Sequence, residues 1–90
     1  ALFTQYPYRT LAARTMIAFD SPVATEARVE VYSVDGRLVR TLLAGSVSPG
    51  RTELAWDGRD ETGHRLGSGL YFVRVSTPRE TRHGKVVVLR

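Results

Sequence analysis

Three acidic side chains lie close together in a stretch that is rich in turn-forming residues. Asp57, Asp60 and Glu61 belong to the segment WDGRDETGHRLGSGLYFVRV, which covers residues 56–75. Carboxylate oxygens are the ligands that calcium prefers, so one interpretation is a calcium site. However, Arg59 places a positive charge between the two aspartates, and the alternating acids of an EF-hand loop are missing. We favour a corner in a β-sheet, in which Asp57 and Asp60 accept hydrogen bonds from backbone N–H groups.

The two histidines offer little for catalysis. His64 and His83 both lie among glycine and charged residues, where solvent-exposed side chains are expected. A serine-type triad needs a buried acid that orients a histidine against a serine, and no local spacing suggests one. Glu53 and Asp57 make a poor acid–base pair, because both fall on the water-facing side of a predicted strand. We therefore predict no catalytic residue, no bound metal and no cofactor.

Composition limits the partners that this chain is expected to have. Ninety residues form one small domain, and the absence of cysteine excludes disulfides and cysteine-based metal sites. The net charge is +4, but the twelve arginines are scattered and do not alternate with an aromatic platform, so we expect no nucleic-acid partner. No apolar run approaches the roughly 20 residues that span a bilayer, so we expect no membrane insertion. No signal-peptide pattern opens the chain, which we expect to be part of a longer protein.

The elements that position these side chains are predicted to be strands. Period-two alternation recurs, and no segment of a dozen residues shows the 3.6-residue period of a helix. In the segment 27–32 the odd-numbered residues are predicted to face the core, whereas Arg28 and Glu30 face water. The segment 38–43 fits the alternation poorly, which predicts either a bulge or partial burial of both faces. The residues predicted to form the core are Ile17, Phe19, Val29, Val31, Leu54, Trp56, Tyr71, Val73 and Val75.

Turn signals separate the predicted strands. Asp35-Gly36 is the strongest, because this dipeptide tolerates positive φ at both central positions of a two-residue type I′ hairpin. Four glycines of the acidic segment (58, 63, 67 and 69) are expected to permit positive φ. The residues predicted to shape the turns are Asp35, Gly36, Asp57, Gly58, Asp60, Gly63 and Gly69. Six or seven short strands at spacings of 8–12 residues predict an antiparallel β-sandwich or small barrel.

Several motifs in fixed order resemble a known family. The run VYSVDGRLVRTLLAG, then SPGRTELAWDGRDETGHRLGSGLYFVRV, then KVVVLR resembles the FlgD-like immunoglobulin-like domain and the C-terminal sorting domains of type IX secretion. The matching positions are Val31, Tyr32, Gly36, Arg37, Val39, Arg40, Leu42, Trp56, Asp57, Gly58, Asp60, Gly63, Ser68, Gly69, Tyr71 and Lys85. The chain departs from the family pattern at residues 8–13, which replace an Asn/Pro-rich stretch, and at Thr52, where a histidine is usual.

The resemblance implies an all-β, immunoglobulin-like antiparallel β-sandwich of about seven strands. It would occupy residues 15–90, with residues 1–14 as a lead-in. The implied role is that of a non-catalytic C-terminal module of an exported bacterial protein, at the cell surface or outside the cell, acting in sorting, surface anchoring or assembly. Lys85 and Arg90 of the last strand are the candidate recognition residues, together with the loops at Asp35-Gly36 and from Asp57 to Gly69.

Three kinds of partner are expected: other domains of the parent protein, the secretion or envelope machinery, and copies of the chain itself. Two other roles stay open. One is a self-associating module of a flagellar-hook-cap-like or filamentous assembly. The other is an accessory domain of a secreted hydrolase.

Overall fold

The computed structural model describes residues 2–5 and 15–88, and these residues form seven β-strands. The strands are β1 (Leu2–Gln5), β2 (Thr15–Ser21), β3 (Thr25–Tyr32), β4 (Leu38–Val47), β5 (Gly50–Trp56), β6 (Gly69–Ser76) and β7 (Thr81–Val88). The described part of the chain contains no helix that is long and apolar enough to cross a membrane. Strand β1 lies within the predicted lead-in and pairs with β2 from Leu2–Asp20 to Gln5–Ile17.

The strands form two antiparallel sheets, which confirms the predicted sandwich. One sheet has the order β1-β2-β5 and the other the order β4-β3-β6-β7, so β7 is an edge strand. The turn 48–49 carries the chain from β4 in the second sheet to β5 in the first. The register between β3 and β4 shifts twice, after Val29 and after Val31, which accounts for the irregular alternation that predicted a bulge.

The core lies between the sheets and is made mostly of β-branched side chains. Seven of the nine residues predicted to face it are buried, while Leu54 and Tyr71 are half-buried and pack against the others. Ala27 of β3 and four valines of β4 and β7 complete the cluster, the valines being Val39, Val47, Val86 and Val88. The prediction that Glu30 faces water is wrong, because this side chain is only 4% exposed. Glu30 does point away from the core, and three neighbouring side chains cover it, as described below.

The hairpin between β3 and β4 differs from its predicted turn type. A type I′ turn requires positive φ at both central residues, but among the described residues positive φ occurs only at glycine, here Gly36 with φ 87°. Gly36 N donates to Ser33 O at 3.0 Å, and Ser33 N donates to Arg37 O at 2.9 Å. This is a three-residue loop, a type I turn followed by a left-handed glycine. Asp35 keeps a negative φ because its carboxylate accepts from Ser33 Oγ and from Arg37 N.

Replacing Gly36 with alanine is expected to destabilise the domain by about 1 kcal/mol. A Cβ at this position meets no atom within 4 Å, so the cost is purely the conformational one of positive φ. Gly45 is the matched control: its Cβ also meets open space, but its φ is outside the left-handed region. Gly45→Ala should be neutral or slightly stabilising, since alanine has less freedom to lose on folding. Urea denaturation of both variants tests this, and equal unfolding midpoints would contradict it.

Candidate functional site

The corner between β5 and β6 holds Asp57 through a local turn. Its Oδ1 accepts from Arg59 N at 3.1 Å and from Arg40 Nη1 at 3.4 Å. The same Arg40 nitrogen donates to Arg59 O at 3.1 Å, and the indole N–H of Trp56 donates to that carbonyl at 3.0 Å. Asp57 is therefore a turn-forming acid that ties the corner to β4.

The Asp60 carboxylate organises the next turn. Its Oδ1 accepts from Thr62 N at 3.0 Å, Thr62 Oγ1 at 2.8 Å and His64 N at 3.0 Å. The bond from the Thr62 hydroxyl is the main reason why the pKa of Asp60 lies below its usual value. His64 is exposed, and its Nδ1 lies 2.7 Å from Thr62 Oγ1. All three polar groups around Asp60 serve the turn.

Glu61, the third acid, points away from the other two and joins the corner to β4. Glu61 Oε1 accepts from Thr41 N at 3.0 Å, and Glu61 N donates to Val39 O at 2.9 Å. The three acids of the calcium interpretation thus face three different partners. Within residues 2–5 and 15–88 no group of three histidine, cysteine or acidic residues is placed to hold a metal ion.

Glycines allow the sharp bends of this corner. Gly58, Gly63 and Gly69 have φ of 77°, 91° and 154°. The expectation for Gly67 is wrong, since it is not among the glycines with positive φ. Its carbonyl instead accepts from Tyr71 Oη at 2.8 Å, which places the Tyr71 ring edge-on to Trp56 with ring centroids 5.8 Å apart. The corner is built to hold two core aromatics.

The candidate recognition residues lie in and beyond the edge strand β7. Lys85 is exposed and pairs in register with Phe72 of β6, and His83 pairs with Arg74. Arg90 lies outside the described residues. Antiparallel partners project to the same face, so Lys85 and His83 stand on the outer face of the four-stranded sheet, away from the core.

The same outer face carries a polar network that sequence reasoning missed. Arg74 Nη2 donates to Glu30 Oε1 at 2.8 Å and to Tyr32 Oη at 2.7 Å. Tyr32 Oη donates to Glu30 Oε1 at 3.1 Å, and Arg28 Nη2 donates to Glu30 Oε2 at 3.3 Å. The guanidinium carbon of Arg74 lies 5.1 Å from the centroid of the Tyr32 ring. Glu30 is thus covered by the two arginines and the tyrosine.

These contacts set the ionisation of the network. The hydrogen bond from Arg74 is the largest influence on Glu30 and holds its pKa below the usual value, although burial works in the opposite direction. Burial raises the pKa of Tyr32, and the adjacent Glu30 carboxylate adds to that effect. Glu30 is therefore ionised, and Tyr32 neutral, at physiological pH. The strand alternation indicated the correct face for Glu30, but no local signal showed that Arg74, 44 residues later, pairs with it.

Two antiparallel sheets of three and four strands, packed around a single tryptophan, define an immunoglobulin-like β-sandwich. The FlgD Ig-like domain family matches residues 10–80 of the chain. The chain belongs to this family, whose members are non-catalytic structural domains. No curated protein sequence matches the chain.

Solved structures with the same fold include three bacterial proteins. PorZ of Porphyromonas gingivalis, an essential bacterial surface component of the type IX secretion system, is 24% identical with a TM-score of 0.68 over 98% of this chain. Dimeric latent PorU of the same organism is 22% identical with a TM-score of 0.70 over 97%. FlgD of P. aeruginosa is 19% identical with a TM-score of 0.69 over 96%. The chain spans 11% of the PorZ chain, 9% of the PorU chain and 69% of the FlgD chain.

Proposed function

We propose that this chain is a non-catalytic module of an exported bacterial protein and that it acts in sorting, surface anchoring or assembly, of which sorting is the role tested below. The observation that carries the proposal is membership of the FlgD Ig-like family over residues 10–80. The fold also forms about a tenth of PorZ, a surface component of a secretion system. A small β-sandwich within a long protein is consistent with a folded recognition signal that other proteins bind.

The mechanism is surface complementarity, since the acids of the corner serve its turns and the described residues form no metal-binding group. The edge strand β7 presents the exposed Lys85 on the outer face of its sheet. The corner 57–69 lies between β5 and β6, and the hairpin loop 34–36 lies between β3 and β4. The partners would be the secretion or envelope machinery and other domains of the parent protein.

A reporter fusion tests this function. The chain would be placed at the C-terminus of a periplasm-directed fluorescent reporter in Porphyromonas gingivalis, which has a type IX system. We expect the reporter to reach the cell surface or medium with the module and to stay in the periplasm without it. A second fusion, carrying an unrelated β-sandwich of similar size, controls for any folded tail. Retention of the folded, monomeric fusion in the periplasm would contradict the proposal.

The same purified chain would be examined by sedimentation equilibrium. A sorting module is expected to remain a monomer as concentration rises. A concentration-dependent oligomer would favour the self-associating building block instead.

A further inference from the structure

An apolar patch lies on the outer face of the four-stranded sheet, on the side away from the core. Its members come from all four strands and the hairpin loop: Tyr32, Val34, Leu38, Leu70, Phe72 and Val87. Leu38 is 45% exposed, and Leu70 and Val87 are each 37% exposed. The register explains the clustering, because Leu38 pairs with Tyr32, Tyr32 with Phe72, and Leu70 with Val87. Apolar residues grouped on a water-facing sheet indicate an interaction site.

The patch contains a pocket of about 240 Å³. Residues of three neighbouring strands line one side of it, namely Tyr32, Phe72, Arg74 and His83, and Ser33, Val34 and Gly36 line the remaining side. The left-handed Gly36 and the three-residue loop therefore help to shape this wall. Small-molecule sites usually measure about 300–1,000 Å³, so this volume suits one large side chain better than a cofactor.

The polar groups around the pocket favour a negatively charged partner. Glu30 already accepts from Arg28, Arg74 and Tyr32, so its charge is matched within the face. Lys85 and His83 are exposed beside the pocket, and Lys85 has no acidic partner among the described residues. The Arg74 Nε–H is buried and finds no acceptor in the described part of the chain. A carboxylate beside the pocket would complement this excess of donors.

The charges also argue against two other occupants. The chain's own residues 6–14 contain Arg9 and Arg14 but no acid, and residues 89–90 are a leucine and an arginine, so these segments have the wrong charge for this face. A second copy has a net charge of +4, and a two-fold pairing of the patch would bring Lys85 of each copy near the other. Like charges at such an interface are unfavourable.

We propose that this outer face binds an extended acidic segment of a partner polypeptide, which inserts one aromatic or large aliphatic side chain into the pocket and places a carboxylate beside Arg74 and Lys85. This inference rests on the proposed function, since it names the surface and the partner chemistry through which the module would be recognised. The pocket selects the apolar side chain, and the cations select the acidic neighbours.

Three short capped peptides test the inference on the intact chain by amide chemical-shift mapping. Each has one central phenylalanine, flanked by aspartates, by asparagines or by lysines. We expect the aspartate peptide to shift amides of residues 32–36, 72–74 and 83–85. The asparagine peptide should bind at least about fivefold more weakly, and the lysine peptide should not bind measurably.

Matched variants distinguish peptide binding at the outer face from a general effect of the protein's net charge. Lys85→Glu should weaken the aspartate peptide about fivefold or more, whereas Arg79→Glu, the same charge change in the exposed turn 77–80, should leave binding within about twofold. Phe72→Ala should weaken it about tenfold. The melting temperature of each variant shows whether it is folded. If Phe72→Ala does not fold, the comparison of Lys85→Glu with Arg79→Glu still tests the inference.

Five results would overturn the inference. The first is shifts that map to another face, and the second is equal binding of the three peptides. The third is a dimer whose interface maps to this face by amide chemical shifts, which would make a second copy the occupant. The fourth is binding to phosphatidylglycerol vesicles, but not to the aspartate peptide, with loss in Lys85→Glu. The fifth is a module that is secreted normally but fails to bind the peptide, which would refute this inference and leave the proposed function standing.

Discussion

Trp56→Ala is expected to remove about 3–5 kcal/mol of stability. A domain of this length has a total stability of about 5–13 kcal/mol, so the variant loses a large share of it. Trp56 is 1% exposed, contacts Tyr71 edge-on, and fixes the corner through its bond to Arg59 O. Truncation leaves a cavity between the sheets and frees the carbonyl that the indole N–H satisfies. Urea denaturation followed by circular dichroism measures the loss.

Two conservative variants separate the contribution of the Trp56 ring from the contributions of the hydrogen bonds at this corner. Trp56→Phe keeps a ring but removes the N–H donor, and it should cost less than half as much as the alanine variant. Tyr71→Phe removes only the hydroxyl that donates to Gly67 O and should cost about 1 kcal/mol. An unfolding midpoint for Trp56→Ala close to that of Trp56→Phe would contradict the cavity argument.

Glu30→Gln is expected to destabilise the domain by about 1–3 kcal/mol at neutral pH. The change keeps the shape of the side chain but removes the charge that Arg28 and Arg74 neutralise. The cost falls short of the 3–5 kcal/mol typical of a broken buried pair, because both arginines are partly exposed and water can hydrate them. Glu53→Gln is the matched control: its bridge to Arg51 is exposed on both sides and should contribute less than about 1 kcal/mol.

The difference in unfolding free energy between the wild type and Glu30→Gln should depend on pH, because the pKa of Glu30 is lowered in the folded state. Because the pKa is lower in the folded state than in the unfolded chain, the carboxylate contributes its full stability above the unfolded value of about 4.3. That contribution is lost as the pH falls through the folded value. The gap in unfolding free energy between the wild type and Glu30→Gln should therefore be constant from pH 7 to about 5 and should narrow as the pH falls below about 4. A gap that persists unchanged at pH 3 would contradict the ionic origin.

The strand alternation and the turn residues were sufficient to predict the sandwich and most of its core. Trp56, Val73 and Val75 could be assigned to the interior because their strands alternate cleanly, and each strand imposes its period locally. The turns of Asp57 and Asp60 were also predictable, since these side chains bond to backbone N–H groups within four residues. The type I′ hairpin was wrong for a similarly local reason: Asp-Gly also fits a three-residue loop in which only the glycine has positive φ.

The features of the fold and the outer face that could not be predicted depend on contacts between residues far apart in the chain. The sequence by itself determined which positions alternate, where the chain turns and which family it belongs to, because these depend on neighbouring residues and ordered motifs. The tertiary structure alone decided that Glu30 is buried, that Arg74 lies beside Tyr32, and that apolar residues of four strands meet on the outer face. These outcomes depend on the β3–β6 pairing, which joins residues that are 40 to 48 positions apart. Strand alternation carries no information about which strand becomes a neighbour.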